Sequence, residues 1–456
     1  MDGRQLAGLI LASALVTLDG TATTVALPAL GRDLSASVWY LQWIANAPLL
    51  VLSALLLPAG TLADKYGRVR LMRLGLVGFV AASVACAFAQ SPTGVIAAKL
   101  AQGAGGALVL PAALAALRSA YTDSVERTRV FGIWAAWTGA ASAAGPLLAG
   151  ALVDAASWRA VFIPPAAAGL AALLLLRRQA QQDVPAAAAA APVPRLASAA
   201  LVAVLGALAY FLMQAPDVAL TGARVAWPLV LAVLGAVVLM RAPHRNVLFP
   251  RELLCSRNCL PANVASFAFY FGMFGVSFLV VLYVQQVLRH SASWAAVVLL
   301  PISIMLLFAE RFGRLAERFG TRLLIVTGAI AAAAGIAWMG SSSHPMPFWS
   351  HIVVGTGLLG FGISLAVSAL TNAAVAAVPE AWAGAASALN HAVVRVAGLI
   401  AVALLGSIAA PGASDAVSAE GMRRAMIVCA VVVAVGGVWS SLLIRDEEPG
   451  GLTAAE

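Results

Sequence analysis

Long apolar runs, each of about 17 to 25 residues and each followed by a short polar or charged stretch, recur along the whole chain. A helix rising about 1.5 Å per residue needs that length to cross a hydrocarbon core roughly 30 Å thick. No water satisfies the backbone inside such a core, so each run is read as a helix whose N–H and C=O groups bond internally. The alternating pattern of a barrel strand is absent. Composition points the same way: 62% hydrophobic and 10% charged residues leave too little charge to cover a surface in water.

The runs predict fourteen spans: Leu6–Leu30, Trp39–Leu62, Leu71–Ala89, Thr93–Leu117, Val130–Val153, Trp158–Leu176, Leu196–Met213, Val225–Met240, Pro261–Leu288, Trp294–Phe312, Leu323–Met339, Phe348–Val375, Trp382–Ile408 and Ala425–Ile444. The first continues past Asp19 to Leu30 without a small-residue cleavage site, which predicts a retained helix and not a signal peptide. The net charge of +9 raises the possibility of nucleic acid, but the cations occupy short loops where they orient a membrane protein. Of the 28 Lys and Arg residues, 20 fall in the segments on the N-terminal side of the membrane, six in the opposite loops, and two, Lys99 and Arg395, inside helices. That bias predicts a multi-pass protein of the inner (cytoplasmic) membrane with both termini cytoplasmic. The chain is expected to act as a monomer in the lipid bilayer, without a nucleic-acid partner. Cys86 and Cys429 fall in helices and Cys255 and Cys259 in a cytoplasmic loop; no further ligands accompany that pair, so no metal is expected.

Gln179–Pro194, rich in Ala and Pro, suits a linker. On either side lies a repeat: GTLADKYGRVR from Gly60 returns as GRLAERFGTR from Gly313, 253 residues later, pairing Asp64 with Glu317 and Gly67 with Gly320. Pro48 and Pro301 share that offset. Both copies fall on one side, as in a parallel repeat of two six-helix halves. The predicted organisation is residues 1–178, an N-terminal six-helix bundle; 179–195, a cytoplasmic linker; 196–240, an inserted two-helix hairpin; 241–260, a cytoplasmic loop; and 261–456, a C-terminal six-helix bundle with a short tail.

Beyond the Gly60 and Gly313 motifs, the chain carries LDGTATTVALPAL from Leu18, AAKLAQGAGGALVLPA from Ala97, TGAASAAGPLLAG ending at Gly150, SWRAVF from Ser157 and GAASALNHAVVRVAG from Gly384. Over nearly its whole length it resembles the major facilitator superfamily, specifically the fourteen-spanner drug:proton antiporters. The resemblance implies two parallel six-helix bundles plus the hairpin, export of multiple drugs or antibiotics, and drive by the proton motive force with no bound cofactor. It also implies that Gly60, Asp64, Gly67, Arg68 and Arg70, with Gly313, Glu317 and Gly320, form a cytoplasmic gate latch. In this chain Gly60 and Gly67 are expected to allow close backbone approach and a tight turn, with Asp64, Arg68 and Arg70 forming charge pairs. The plainer alternative makes Lys65, Arg68 and Arg70 topology signals only. Gly139, Gly145, Pro146 and Gly150 match the antiporter motif and are expected to form a small-residue face with a kink, although small residues favour any membrane helix contact.

Asp19 lies about 16 Å from the outer end of its helix. A carboxylate at that depth costs several kcal/mol or more unless it is paired, hydrated or protonated. Burial favours the neutral acid, which suits a group that takes up and releases a proton; the alternative is a structural tie between helices. Its expected partner is Lys99, roughly 10 Å into its own helix from the same side. The resembled family usually has Arg here, and Lys is the more easily neutralised cation. Asn390, His391 and Arg395 share a span, with His391 and Arg395 on one face, either touching substrate or anchoring a helix pair. Trp134, Trp137, Tyr270 and Phe274 (with Phe267) are candidates to line an apolar cavity, or else pack against lipid and protein. Glu310, about a turn above the inner end of its span, is expected to snorkel or to pair with Arg314.

These residues point to a proton-coupled secondary transporter that exports small amphipathic compounds by alternating access. A proton-linked importer or single-metabolite carrier, and a non-transporting sensor, share the fold. An enzyme is disfavoured because the five histidines are scattered and no nucleophile triad appears; a nucleotide-driven pump lacks its phosphate loop.

Overall fold

A computed structural model describes residues 3–121, 123–177, 195–214, 223–241, 258–342, 345–376, 383–410 and 416–444. Its helices are α1 (Gly3–Asp33), α2 (Val38–Tyr66), α3 (Arg68–Phe88), α4 (Pro92–Ala120), α5 (Ser124–Ala155), α6 (Ile163–Leu175), α7 (Arg195–Gln214) and α8 (Ala223–Arg241). Then come α9 (Cys259–Gln286), α10 (Ala292–Val297), α11 (Leu300–Leu307), α12 (Ala309–Gly313), α13 (Leu315–Phe319), α14 (Thr321–Gly340), α15 (Val354–Ala376), α16 (Ala383–Ala409) and α17 (Ala419–Leu443). Among the described residues there is no strand. Among the described residues, twelve helices have the length and hydropathy to cross a membrane.

One predicted span outside that count, Trp294–Phe312, differs from expectation for a physical reason. It is interrupted: α11 begins at Leu300 with Pro301 in its first turn, and α10 ends at Val297. Proline has no N–H to return to the preceding turn, so the ladder breaks just before it. Within a counted span, Pro164 and Pro165 open α6, and the stretch before it, Trp158–Phe162, tightens to a 3₁₀ turn. Phe348–Val353 forms a π turn ahead of α15. The charge assignment of the last loop also shifts: Arg423 and Arg424 lie within α17, paired with Glu420 at 3.2 and 3.0 Å. The predicted linker 179–194 and most of the 241–260 loop, Cys255 included, lie outside the described residues.

The internal repeat is visible in backbone geometry. Gly67 joins α2 to α3 with φ 98°, and Gly320 joins α13 to α14 with φ 80°, a region that penalises any Cβ. A Cβ at Gly103 on α4 would meet Pro48 Cα at 2.7 Å, and one at Gly360 on α15 would meet Ile302 Cα, beside Pro301, at 2.7 Å. Gly75 approaches the carbonyl of Gly105 as Gly328 approaches that of Gly362. Small residues at matching points thus let helix backbones touch where apolar side chains alone would give no net drive inside lipid.

α1 to α6 pack chiefly on one another, as do α9 to α17. Gln42, Gln285 and Asp154 make polar contacts between these two groups, toward the end of the bundle away from Gly67. Gln42 Nε2 on α2 donates to the carbonyls of Val402 and Ala403 on α16 at 2.9 and 2.8 Å. Gln285 Nε2 on α9 donates to the Val25 carbonyl at 2.9 Å. Asp154, at the end of α5, accepts from the backbone N–H groups of Ala292 and Ser293 at 3.0 and 2.9 Å, and so caps α10. α7 pairs with α8 through the Tyr210–Trp227 rings and a close approach of Gly235 to Val204. It also lies against α2 and α16, where Leu50, Leu205, Met213 and Leu399 form a shared apolar cluster.

Candidate functional site

Asp19 falls at the middle of the 31-residue α1 and Lys99 in the third turn of α4. The structure brings them together: Lys99 Nζ lies 2.8 Å from Asp19 Oδ2, and the side chains are 0% and 6% exposed. The remaining two ammonium protons are used as well. Nζ donates to Thr23 Oγ1 at 2.9 Å and to Gln102 Oε1 at 2.7 Å. Gln102 Nε2 then donates to Asp19 Oδ1 at 2.9 Å and to Ser83 Oγ at 2.9 Å, and the Ser83 hydroxyl donates to the Phe79 carbonyl at 2.8 Å. The ring of Phe162 lies 5.4 Å from the ammonium.

Such closure matters because each ion removed from water incurs several kcal/mol, which mutual attraction offsets only when the other polar valences are filled. Lysine has three donors, and all three are occupied; both carboxylate oxygens accept. The network therefore links α1, α3 and α4 through two opposite charges. Protonating Asp19 Oδ2 would remove the acceptor that faces Lys99 and with it the one ion pair in the network, leaving the Thr23, Gln102 and Ser83 hydrogen bonds. Sequence reasoning missed Thr23, Ser83 and Gln102. Two of them were within reach, since Thr23 is four residues from Asp19 and Gln102 three from Lys99, each one helical step away.

A second polar cluster lies between α9 and α16. Asn390 Nδ2 donates to Asn263 Oδ1 at 3.2 Å and to Ser266 Oγ at 2.9 Å. One and two turns further along, Tyr270 pairs with Phe274 at 6.3 Å between ring centroids, and Gly398 lets the Phe274 ring rest on α16. Half-buried Arg395 lies near enough to Tyr270 for the two to interact electrostatically. His391 is exposed on the same face as Arg395. The tryptophans of α5 do not join this cluster: Trp134 packs against Phe131 in the core of the first group, and Trp137 is 61% exposed.

The motif glycines divide by environment. A Cβ on Gly60 would meet nothing within 4 Å, so close backbone approach, the sequence expectation, does not explain this glycine. Gly67 and Gly320 supply the positive-φ turns, and Gly313 sits 2.6 Å from Ser368 Cβ by the same measure. Arg68 Nη1 donates to the Ala115 carbonyl at 3.2 Å, tying α3 to α4. Arg70 is exposed. The side chains of Asp64, Glu317 and Glu310 lie outside the described residues. On α5, Gly145 presses on Thr21 and the Leu18 carbonyl of α1, and Gly150 on Ser293 of α10, with Pro146 buried between them. Gly139 makes only ordinary contact with Leu307.

The sequence profile of the Major Facilitator Superfamily matches residues 9–402 and 312–456. A methylenomycin A resistance protein of Streptomyces coelicolor is 29% identical over 459 residues, covering 100% of this chain and 95% of that protein. A tetracenomycin C resistance and export protein of Streptomyces glaucescens is 30% identical over 409 residues, covering 88% and 74%. Among solved structures, a bacterial homologue of the human lysosomal transporter Spinster, inward-facing and unoccupied, aligns over 97% of both chains with a TM-score of 0.70 and 17% identity.

Proposed function

The chain belongs to the major facilitator superfamily, a family of transporters and not of enzymes, and from that premise we propose that it exports antibiotics or related small amphipathic compounds in exchange for protons. The observation that carries the proposal is the closed Asp19–Lys99–Gln102 network at the middle of α1. Relatives whose names describe drug resistance and export support the direction. A proton arriving at Asp19 breaks the ion pair and frees α1 to move against α4; its departure restores the pair. The protein's partners are the substrate, protons and the lipid bilayer. It acts as a monomer, with the proton motive force in place of any cofactor.

Fourteen crossings are our reading, and an even number keeps both termini on one side. The twelve long apolar helices, α8 and the interrupted α10–α13 stretch make up that number, with α7 and α8 as an inserted hairpin. Loop charge then puts Gly67, Gly320 and both termini in the cytoplasm of a cell whose inner membrane holds the protein. The contacts of Gln42, Gln285 and Asp154 accordingly lie on the outer side, which supports a state closed outward and open to the cytoplasm. Residues 60–70 and 313–320 would close the inner side in the opposite state.

The test is proton movement in proteoliposomes containing the purified full chain and a pH-sensitive dye. Addition of compounds from a panel of antibiotics and lipophilic dyes is expected to trigger proton flux with at least one of them. No flux across the panel, with the protein folded, would overturn the exchange mechanism. Cell accumulation assays with and without the protein distinguish export from uptake.

A further inference from the structure

We propose that Arg395 is the anion-recognising residue of the transport site, so that the preferred substrates carry a carboxylate or similar acidic group beside an aromatic body. This rests on the exporter reading above and specifies which compounds that exporter takes. Arg395 is the thirteenth residue of the 27-residue α16, so its backbone lies near mid-membrane. A guanidinium at that depth stays charged and demands compensation. Among the described residues, no carboxylate lies within ion-pair distance of it. The carboxylate buried in the middle of α1 is already committed: both oxygens of Asp19 are taken by Lys99 and Gln102. A cationic substrate would have to break that network, whereas an anionic one meets a charge that has no counter-ion among the described residues.

The surroundings of Arg395 suit an amphipathic anion. Tyr270 offers a phenol, Phe274 lends an aromatic face, and exposed His391 one turn away adds a polar ring. Asn390 is already engaged with Asn263 and Ser266, which fixes the relation of α16 to α9 and with it the position of Arg395. α16 is also the helix that Gln42 of α2 grips at its far end. A ligand held at Arg395 therefore sits on a helix of the second group that also contacts the first, where binding can bias their relative orientation.

The test uses three probes with one pyrene body: pyrenebutyrate, pyrenebutanol and pyrenebutylamine. Transport of each into or out of proteoliposomes of the full chain is measured by fluorescence under an imposed pH gradient. Wild type is expected to favour the carboxylate. Arg395→Gln should lower carboxylate transport and binding by about 10- to 100-fold, the range for removing one partner of a charge-assisted contact, while the alcohol changes little. Arg395→Lys, which keeps the charge, should restore part of the loss. If Arg395→Gln does not fold, binding of the three probes to wild type and Arg395→Lys decides the matter through their order of affinity. A wild-type preference for the amine, or an unchanged carboxylate-to-alcohol ratio in Arg395→Gln, overturns the proposal and leaves proton exchange standing. Absence of any proton-linked transport sinks the exporter reading, and this assignment with it.

Discussion

Removing one carboxylate at the end of α5 should change which end of the bundle is open. Asp154 accepts two backbone N–H groups, from Ala292 and Ser293, at 3.0 and 2.9 Å. Both donors lie at the start of α10, where the unpaired N–H groups and the helix dipole favour a negative charge. Gly150, one turn back, allows this approach, since a Cβ there would lie 2.8 Å from Ser293 Cα. Hydrogen bonds to a charged group contribute about 1.5–3 kcal/mol when shielded. Asp154 is exposed, so solvent screening reduces the pair to about 1–2 kcal/mol. Asp154→Ala should then shift the equilibrium toward opening at this end by about 5- to 30-fold. Nitroxide labels at Arg32→Cys and Arg424→Cys, both exposed and one on each helical group, report the separation by pulsed electron resonance once Cys86, Cys255, Cys259 and Cys429 have been replaced. A larger long-distance population is expected in Asp154→Ala, with Asp154→Asn in between. Superimposable distance distributions in wild type and Asp154→Ala would refute the idea that this contact holds the end closed.

Lys99→Ala leaves Asp19 buried without its cation and should destabilise the protein by about 3–5 kcal/mol, read as a fall in thermal unfolding temperature in detergent. Adding Asp19→Asn to Lys99→Ala should recover part of that loss, because the orphaned charge disappears. Gly67→Ala and Gly320→Ala each force a Cβ into a positive-φ turn and should lose about 1–2 kcal/mol by the same measurement. Gly60→Ala, in a helix with open space around it, should be neutral or slightly stabilising; a loss as large as that at Gly67 would contradict the separation drawn between the two glycines.

Much of the architecture was legible because the bilayer demands it. Apolar runs of spanning length left little choice but helices, and the depth of Asp19 and Lys99 in their runs was enough to expect a pair. The repeat was legible too, since the 253-residue offset pairs Gly67 with Gly320, and both make the same positive-φ turn. What spacing could not tell was how a proline behaves in place. Pro48 is accommodated within continuous α2, while Pro301, its counterpart, opens a new helix. Gly60 and Gly313 show the same limit, as one faces open space and the other Ser368. Gln42, Gln285 and Asp154 escaped notice for another reason. Their partners are backbone groups on distant helices, and a backbone group carries no residue identity for a sequence pattern to match. The tryptophans of α5 were proposed from residue type alone, and aromatic side chains pack in many places besides cavities.

The account depends most on a proton acting at Asp19. Proteoliposomes containing wild type or Asp19→Asn, each given an inward-directed proton gradient and a transported compound, provide the direct measurement. Wild type should couple compound movement to dissipation of the gradient, and Asp19→Asn should lose that coupling while still binding the compound. Undiminished gradient-driven transport by Asp19→Asn would contradict the claim.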